Sequence, residues 1–292
     1  MEDADRLAAE VAELARKRGW HDLVGAALAV RARFARKLVE LDRARALFLE
    51  ARAAFEAIGD LHGIADADQG LGMIAVASAD HVEAERLFEQ SLQHCQHNRD
   101  LRGAAWAANG LGDVYRKTGR LEEAVSWYSQ AMGWFEEIGN TYGAMWCTHD
   151  IAQAQRAAGD LEAAERGYLA MIALAERIGQ RVVAPRLNLG LVRVLRGDFD
   201  QARIPFEEVA EESHLRASSG EEGIAHICLL PCDAAAGDWA AVEAGLDLAR
   251  RQIGQLIDAD LAAMTRIAAD YAATPRPTLA AELRDFANLI GG

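Results

Sequence analysis

The chain has 292 residues, a formal net charge of −14, 51% hydrophobic residues and 26% charged residues. This composition is typical of a soluble folded protein, and the acid excess argues against nucleic acid as a direct partner, since phosphate binding needs a basic surface. No apolar run approaches the roughly 20 residues of a membrane helix, so no membrane partner is expected. The acidic start, MEDADRLAAE, lacks the hydrophobic segment of a secretory signal. Four scattered cysteines favour a reducing cytoplasm over a disulfide framework.

The sequence repeats with a period of about 40 residues. One column of alanines keeps this spacing, and a column of aromatic residues follows it one helical turn later: Ala44, Ala84, Ala124 and Ala164, then Phe48, Phe88, Tyr128 and Tyr168. Coincident columns of this kind indicate stacked copies of one small structural unit.

Each copy predicts two helices joined by a tight turn, and residues 111–135 show this most clearly. An apolar face at helical spacing precedes Gly119, and a second such face follows it, beginning at Ala124. Gly119 can adopt the left-handed conformation that ends a helix. In later joints Gly is followed by an Asp that can cap the next helix, as at Gly159-Asp160.

This pattern resembles the tetratricopeptide repeat. The residues that carry the resemblance are Leu111, Gly112, Tyr115, Gly119, Ala124, Tyr128 and Ala131. The long period is similar to that of a subgroup found in bacterial regulators and kinesin light chains. The resemblance implies an all-α fold, a right-handed α-solenoid of stacked antiparallel helix pairs with about six units and terminal capping helices.

We expect residues 1–292 to form a single solenoid. Residues 1–20 fit a half-unit or capping helix, residues 21–256 the repeat units, and residues 257–292 the C-terminal capping helices. The half-unit would also fit a chain cut from a longer protein. Pro205 and Pro231 fall inside predicted helices and should kink or shorten them.

No catalytic motif stands out, because the sequence has no Gly-rich phosphate loop, HExxH, CxxC or GxSxG. We therefore expect no enzymatic activity, no cofactor and no metal site. Cys95, Cys228 and Cys232 are interpreted as small buried apolar residues, since metal sites need more ligands at more familiar spacing.

The candidate site lies on the first helix of each middle unit. It is a row of side chains beside the row that packs against the next unit. It comprises Gln69, Met73, Trp106, Asn109, Asp113, Arg116, Trp146, His149, Gln153 and Arg156. Two tryptophans one period apart, among hydrogen-bonding side chains, are typical of a recognition surface. The alternative is that each Trp packs on the second helix of the preceding unit and belongs to the core.

Basic residues also gather on the first helices, at Arg33, Arg36, Lys37, Arg116, Lys117 and Arg156, whereas acidic residues crowd the second helices. A basic inner wall would favour a partner with an acidic segment. The alternative is that these residues only complement helix dipoles. The family's clamp for a terminal carboxylate is not supported, since Asn109 has Gln69 and His149 as counterparts and Asp113 intrudes.

The sequence thus predicts an interaction scaffold that binds a peptide or a partner protein segment in its concave groove. One alternative is a sensor or regulatory segment of a larger bacterial signalling protein, such as a transcription regulator or a Ser/Thr kinase. The other is a small-molecule-binding or enzymatic solenoid that uses Asp113, His149 and Arg156.

Overall fold

The computed structural model describes residues 2–252 and 258–291, and within them the protein forms fifteen helices and no strand. The helices fall into two compact units, residues 1–158 and 159–292. This confirms the predicted all-α fold of consecutive packed helix pairs. The prediction of one continuous solenoid concerns how the two units join, and it stays a prediction.

The N-terminal unit contains eight helices in sequence, separated by short turns. They are α1 (Glu2–Arg18), α2 (His21–Lys37), α3 (Leu41–Glu56), α4 (Leu61–Ala77), α5 (His81–His97), α6 (Leu101–Lys117), α7 (Leu121–Glu137) and α8 (Thr141–Ala157). Each helix packs on the next, and the first helices of successive repeats also pack on one another, α2 on α4, α4 on α6 and α6 on α8. The first helices therefore form one continuous wall in this unit.

Neighbouring helices of the N-terminal unit approach each other closely because glycines on one helix face aromatic rings on the next. A Cβ at Gly110 would lie 2.4 Å from the Phe88 ring, and a Cβ at Gly112 would lie 2.5 Å from the Tyr128 ring. Both rings are buried. The aromatic column of the repeat thus fills the space that small residues on the first helices leave open.

The chemistry predicted for the joints at Gly119 and at Gly159-Asp160 is present. Gly119 adopts a left-handed φ of 79°, and the Asp160 side chain accepts a hydrogen bond from the Ala163 N–H at the start of the next helix. Among the described residues, four other than glycine share the left-handed conformation, namely Val39, Ala79, Arg99 and Ala217. Side chains disfavour that conformation by roughly 1–2 kcal/mol, so these joints are locally strained.

The C-terminal unit contains the remaining seven helices. They are α9 (Leu161–Arg177), α10 (Val183–Leu195), α11 (Phe199–Leu215), α12 (Ser219–Ala236), α13 (Trp239–Gln252), α14 (Ala259–Ala272) and α15 (Pro277–Gly291). Its core is continuous from α10 to α15, with Phe206, Ile227, Leu230 and Leu283 among its fully buried side chains.

Pro205 and Pro231 were predicted to kink or shorten their helices, and shortening is wrong, since α11 and α12 keep 17 and 18 residues; the kink stays a prediction. Pro205 has no N–H to bond the Gln201 carbonyl one turn earlier. The Arg193 guanidinium donates to that carbonyl instead, over 2.9 Å. A side chain from α10 therefore replaces the backbone donor that proline removes.

The cysteines are buried, as expected from the sequence. Burial raises the pKa of the Cys95 thiol to about 11 and that of the Cys232 thiol to about 12. These thiols are therefore protonated at neutral pH. Among the described residues no cluster of three or more His, Cys, Asp or Glu side chains could hold a metal ion, and no described helix is long and apolar enough to cross a membrane.

Candidate binding site on the first helices

A cavity of about 450 Å³ opens on the wall formed by α2, α4 and α6. We call it the first-helix cavity, and it is lined by Arg33, Arg36, Gln69, Met73, Val76, Phe88, Trp106, Asn109, Gly110 and Asp113. It contains five residues of the predicted site: Gln69, Met73, Trp106, Asn109 and Asp113. The neighbouring packing of α2, α4 and α6 is what brings these side chains together.

Trp106 forms the apolar side of the cavity together with Met73. The Trp106 side chain is 38% exposed, and its ring lies edge-on against Phe135 with 4.9 Å between centroids. Phe135 belongs to the second helix of the same repeat, and not of the preceding one as the packing alternative required. Trp106 is thus braced by the core on one side and open to the cavity on the other.

Arg36 gives the cavity a positive charge at its α2 end. The side chain is half-buried, and its buried Nε has no acceptor among the described residues. Arg33 differs, because its guanidinium donates two hydrogen bonds to Asp66, at 2.8 and 3.1 Å. A half-buried charge without a partner is costly, so Arg36 is the cation that an anionic ligand would satisfy.

Gln69 is held in place on α4 between two acceptors. Its amide nitrogen donates to the Ser91 hydroxyl over 2.9 Å and to the Gly103 carbonyl over 3.0 Å. Ser91 in turn donates to the Ala65 carbonyl. The amide oxygen of Gln69 takes no part in these bonds, so a fixed acceptor remains on the cavity wall.

Asp113 places a carboxylate at the α6 end of the cavity. Its Oδ1 accepts hydrogen bonds from the Tyr128 hydroxyl at 2.8 Å and from Arg116 at 3.3 Å. Burial raises the pKa of the Asp113 carboxyl, the nearby Asp150 carboxylate raises it further, and the bonds from Tyr128 and Arg116 oppose both effects. Water still reaches 38% of the side chain, which limits the shift. Arg116 is engaged with Asp113 and is not a free cation.

The four predicted site residues of α8 lie outside the cavity: Trp146, His149, Gln153 and Arg156. His149 is only 5% exposed, so the expectation that it faces an open groove is wrong. The Trp146 ring lies 5.4 Å from the imidazole.

His149 is also joined to its neighbours by hydrogen bonds. Its Nδ1 lies 3.3 Å from Asp150 and its Nε2 lies 3.4 Å from the Gln153 amide. Asn109 of α6 donates to the other Asp150 oxygen over 3.0 Å. This network ties α6 to α8, with His149 buried within it.

Two cavity residues, Arg33 and Arg36, were noted in the sequence as basic but were not assigned to the site. The period could have placed them there, because Arg33 lies one period before Met73 and Arg36 lies one period before Val76. The predicted site was confined to the middle repeats, so the first repeat was left out.

Residues 103–177 match the family model described as tetratricopeptide repeat. This part of the chain consists of tetratricopeptide repeats. No curated protein matches the chain.

Solved structures extend the likeness of fold to most of the chain. A Rap protein complexed with Competence and Sporulation Factor is 14% identical, with 91% of this chain and 75% of that one covered and a TM-score of 0.71. The Rap conjugation gene regulator of the plasmid pLS20, in complex with the Phr* peptide, is 12% identical, with 94% and 76% covered and a TM-score of 0.66. A signal transduction ATPase with a tetratricopeptide repeat sensor, from Pyrococcus horikoshii, is 15% identical, with 87% and 42% covered and a TM-score of 0.64. At these identities the likeness shows a common fold.

Proposed function

We propose that the tetratricopeptide repeats of the N-terminal unit bind a peptide or a segment of a partner protein in the first-helix cavity. The ligand would present one large apolar side chain and one carboxylate close together. The observation that carries this proposal is that the cavity is lined both by the half-buried Arg36, whose Nε has no acceptor among the described residues, and by the partly exposed Trp106.

The apolar side chain would occupy the space against Trp106 and Met73. Ligand pockets commonly measure about 300–1,000 Å³, and the volume of about 450 Å³ suits one large side chain with its flanking backbone. Burying a side chain of the Leu or Phe class contributes roughly 1.5–3 kcal/mol. Because the core braces Trp106, the ring loses little freedom on binding.

The carboxylate would pair with Arg36. A guanidinium presents its donors in a planar fork that matches a carboxylate, so the pair is both strong and directional. The chain as a whole carries −14, so attraction of an acidic segment would be local and would depend on this position. Arg33 would add less, since Asp66 already neutralises it.

The cavity also has a direction. Arg36 lies at the α2 end and Asp113 at the α6 end, with Gln69 of α4 between them. The acidic group of the ligand would therefore point toward α2. Backbone N–H groups or a basic side chain would point toward α4 and α6, where Gln69 and Asp113 offer oxygen acceptors.

Two of the structural neighbours agree with such a role. The Rap structures contain Competence and Sporulation Factor in one case and the Phr* peptide in the other. We propose by analogy that this protein is a regulatory scaffold of the cytoplasm whose partner is a protein or peptide. The proposal includes no catalytic step, no cofactor, no nucleic acid and no membrane.

A second candidate is a sensor segment that acts within a larger bacterial signalling protein. It is favoured by the likeness of fold to the ATPase with a tetratricopeptide repeat sensor. The two roles are compatible, because a sensor would use the same cavity. The small-molecule or enzymatic alternative has less support, since the cavity includes Asp113 but not His149 or Arg156.

Selection from a random peptide library tests the proposal, followed by affinity measurement on the full chain. We expect enriched peptides to carry Asp or Glu within a few residues of a large apolar side chain. Trp106→Ala should weaken their binding by at least ~10-fold, which is about 1.4 kcal/mol. Trp20→Ala is the matched control, because Trp20 is 45% exposed outside the cavity. Enriched peptides without acidic residues, or equal losses in the two variants, would contradict the proposal.

A further inference from the structure

A second, smaller cavity of about 230 Å³ lies between α4 and α6, beside the first-helix cavity. We call it the α4–α6 cavity, and it is lined by His62, Ala65, Asp66, Gln69, Cys95, Asp100, Arg102, Gly103 and Trp106. Gln69 and Trp106 line both cavities. Since ligand pockets commonly begin at about 300 Å³, the smaller cavity suits one further side chain of a ligand that already fills its neighbour.

Gln69 lies where a ligand would pass from one cavity to the other. Its amide nitrogen is fixed by hydrogen bonds to Ser91 and to the Gly103 carbonyl, so its amide oxygen can accept a main-chain N–H of the ligand. In an extended chain, side chains two residues apart lie on the same side, about 7 Å from each other. Neighbouring side chains of one extended ligand would therefore fill the two neighbouring cavities.

The formal charges around the α4–α6 cavity cancel. Asp66 is paired with Arg33 over 2.8 Å, and Asp100 Oδ2 lies 2.8 Å from His62 Nδ1. Arg102 is exposed and takes part in no ion pair or hydrogen bond within the described residues. The two carboxylates of the wall are thus balanced by Arg33 and Arg102, and the cavity has no net preference for an anion or a cation.

The hydrogen-bonding groups of the wall favour a side chain that both donates and accepts. Arg102 offers N–H donors, and the carboxylates of Asp66 and Asp100 offer oxygen acceptors. A carboxylate in the cavity would meet these two aspartates, and a basic side chain would meet Arg102, so either would be opposed by a like charge. An apolar side chain would cover polar groups without bonding them. A carboxamide has an acceptor oxygen and two N–H donors without a charge.

We propose that the α4–α6 cavity binds an amide side chain, Asn or Gln, of the same ligand, within two residues of the apolar side chain that lies against Trp106. Arg102 donates to the amide oxygen, and Asp66 or Asp100 accepts from the amide nitrogen. This inference rests on the proposed function, because one ligand fills both cavities. The recognised segment then combines an acidic residue, a large apolar residue and an amide residue.

Selection from peptides with Phe at the central position and random residues on both sides tests the proposal. With the original chain we expect Asn or Gln within two residues of the Phe to be enriched at least ~3-fold, together with Asp or Glu for Arg36. Arg102→Ala should lose the amide enrichment and keep the acidic enrichment, and its fold should be retained because Arg102 is exposed. Arg166→Ala, at an exposed arginine of α9 outside both cavities, is the matched control and should keep both preferences.

Affinity measurement on a selected peptide tests the choice of an amide over an acid. Replacing its Asn or Gln with Asp or Glu keeps the shape and adds a charge beside Asp66 and Asp100, so binding should weaken at least ~3-fold. Failure to enrich acidic peptides would overturn both this inference and the proposed function. Acidic peptides without an amide preference, an amide preference that survives Arg102→Ala, or tighter binding of the acid analogue would overturn this inference alone.

Discussion

The Tyr128 hydroxyl donates a hydrogen bond to Asp113 Oδ1 over 2.8 Å, and this bond joins the core of a repeat to the wall of its cavity. Tyr128 occupies the aromatic column of the repeat and is completely buried. Asp113 lies on the neighbouring stripe of the first helix, at the α6 end of the cavity. The residue that packs the repeat therefore also orients a residue of the candidate site.

The raised pKa of Asp113 predicts a pH-dependent term in stability. A carboxyl whose pKa is higher in the folded state than in the unfolded state stabilises the fold most at pH values below its ordinary pKa of 3.8. This stabilisation is lost as pH rises through the folded-state pKa. Replacing Asp113 with Asn removes the titration and keeps an oxygen that can accept from Tyr128. Urea unfolding from about pH 3.5 upward should show the variant gaining stability relative to the original chain as pH rises. A difference that is constant with pH, or of opposite sign, would contradict the assignment.

The Phe88 ring leaves no room for a side chain at Gly110. Gly110→Ala would bring a Cβ within 2.4 Å of that ring, and the core would have to shift at a cost of about 1–3 kcal/mol. Gly133 is the matched control, because it lies within α7 and a Cβ there meets nothing within 4 Å. Gly133→Ala should stabilise the protein by up to about 1 kcal/mol, since alanine favours a helix over glycine. Urea unfolding measures the free energy of unfolding of both variants. Equal changes in the two would show that Gly110 is not a packing residue.

At a joint residue with left-handed backbone, glycine should give a more stable protein than the residue present. Ala79 has a φ of 57° and is exposed, so Ala79→Gly should relieve roughly 1 kcal/mol of strain in the folded state. Part of that gain is offset by the freedom that glycine adds to the unfolded chain. Gly119→Ala should have the opposite effect, because its φ is 79°. In thermal unfolding, the Tm of Ala79→Gly should lie above that of the original chain and the Tm of Gly119→Ala below it. The reverse order would contradict the geometry.

The fold could be predicted from the sequence because it depends on local signals repeated many times. Residues such as Gly119 and Asp160 mark the joints between helices, and buried columns such as that of Ala124 need only helical spacing to be recognised. The accommodation of Pro205 could not be predicted, since it depends on Arg193 from another helix reaching a backbone carbonyl.

The candidate site was only partly predictable. Met73, Trp106 and Asp113 were placed correctly on one wall, because residues in equivalent positions of successive first helices become neighbours. The burial of His149 was missed, since it depends on the edge-on contact between the Trp146 and His149 rings and on the hydrogen bond to Asp150. Arg36 was noted as basic but was not assigned to the site. Only the structure shows that Arg33 pairs with Asp66, whereas Arg36 Nε has no acceptor among the described residues.

The central claim is that Arg36 recognises a carboxylate, and a double-mutant cycle by titration calorimetry tests it most directly. The cycle combines the original chain and Arg36→Gln with a selected acidic peptide and its Glu-to-Gln analogue. We expect Arg36→Gln to weaken the acidic peptide by at least ~10-fold and the neutral analogue by less than ~2-fold, a coupling of about 1 kcal/mol or more. Arg45→Gln, which changes a half-buried arginine of α3 outside the cavity, should affect neither peptide. Equal losses for the acidic and neutral peptides would show no coupling and would contradict the proposed site.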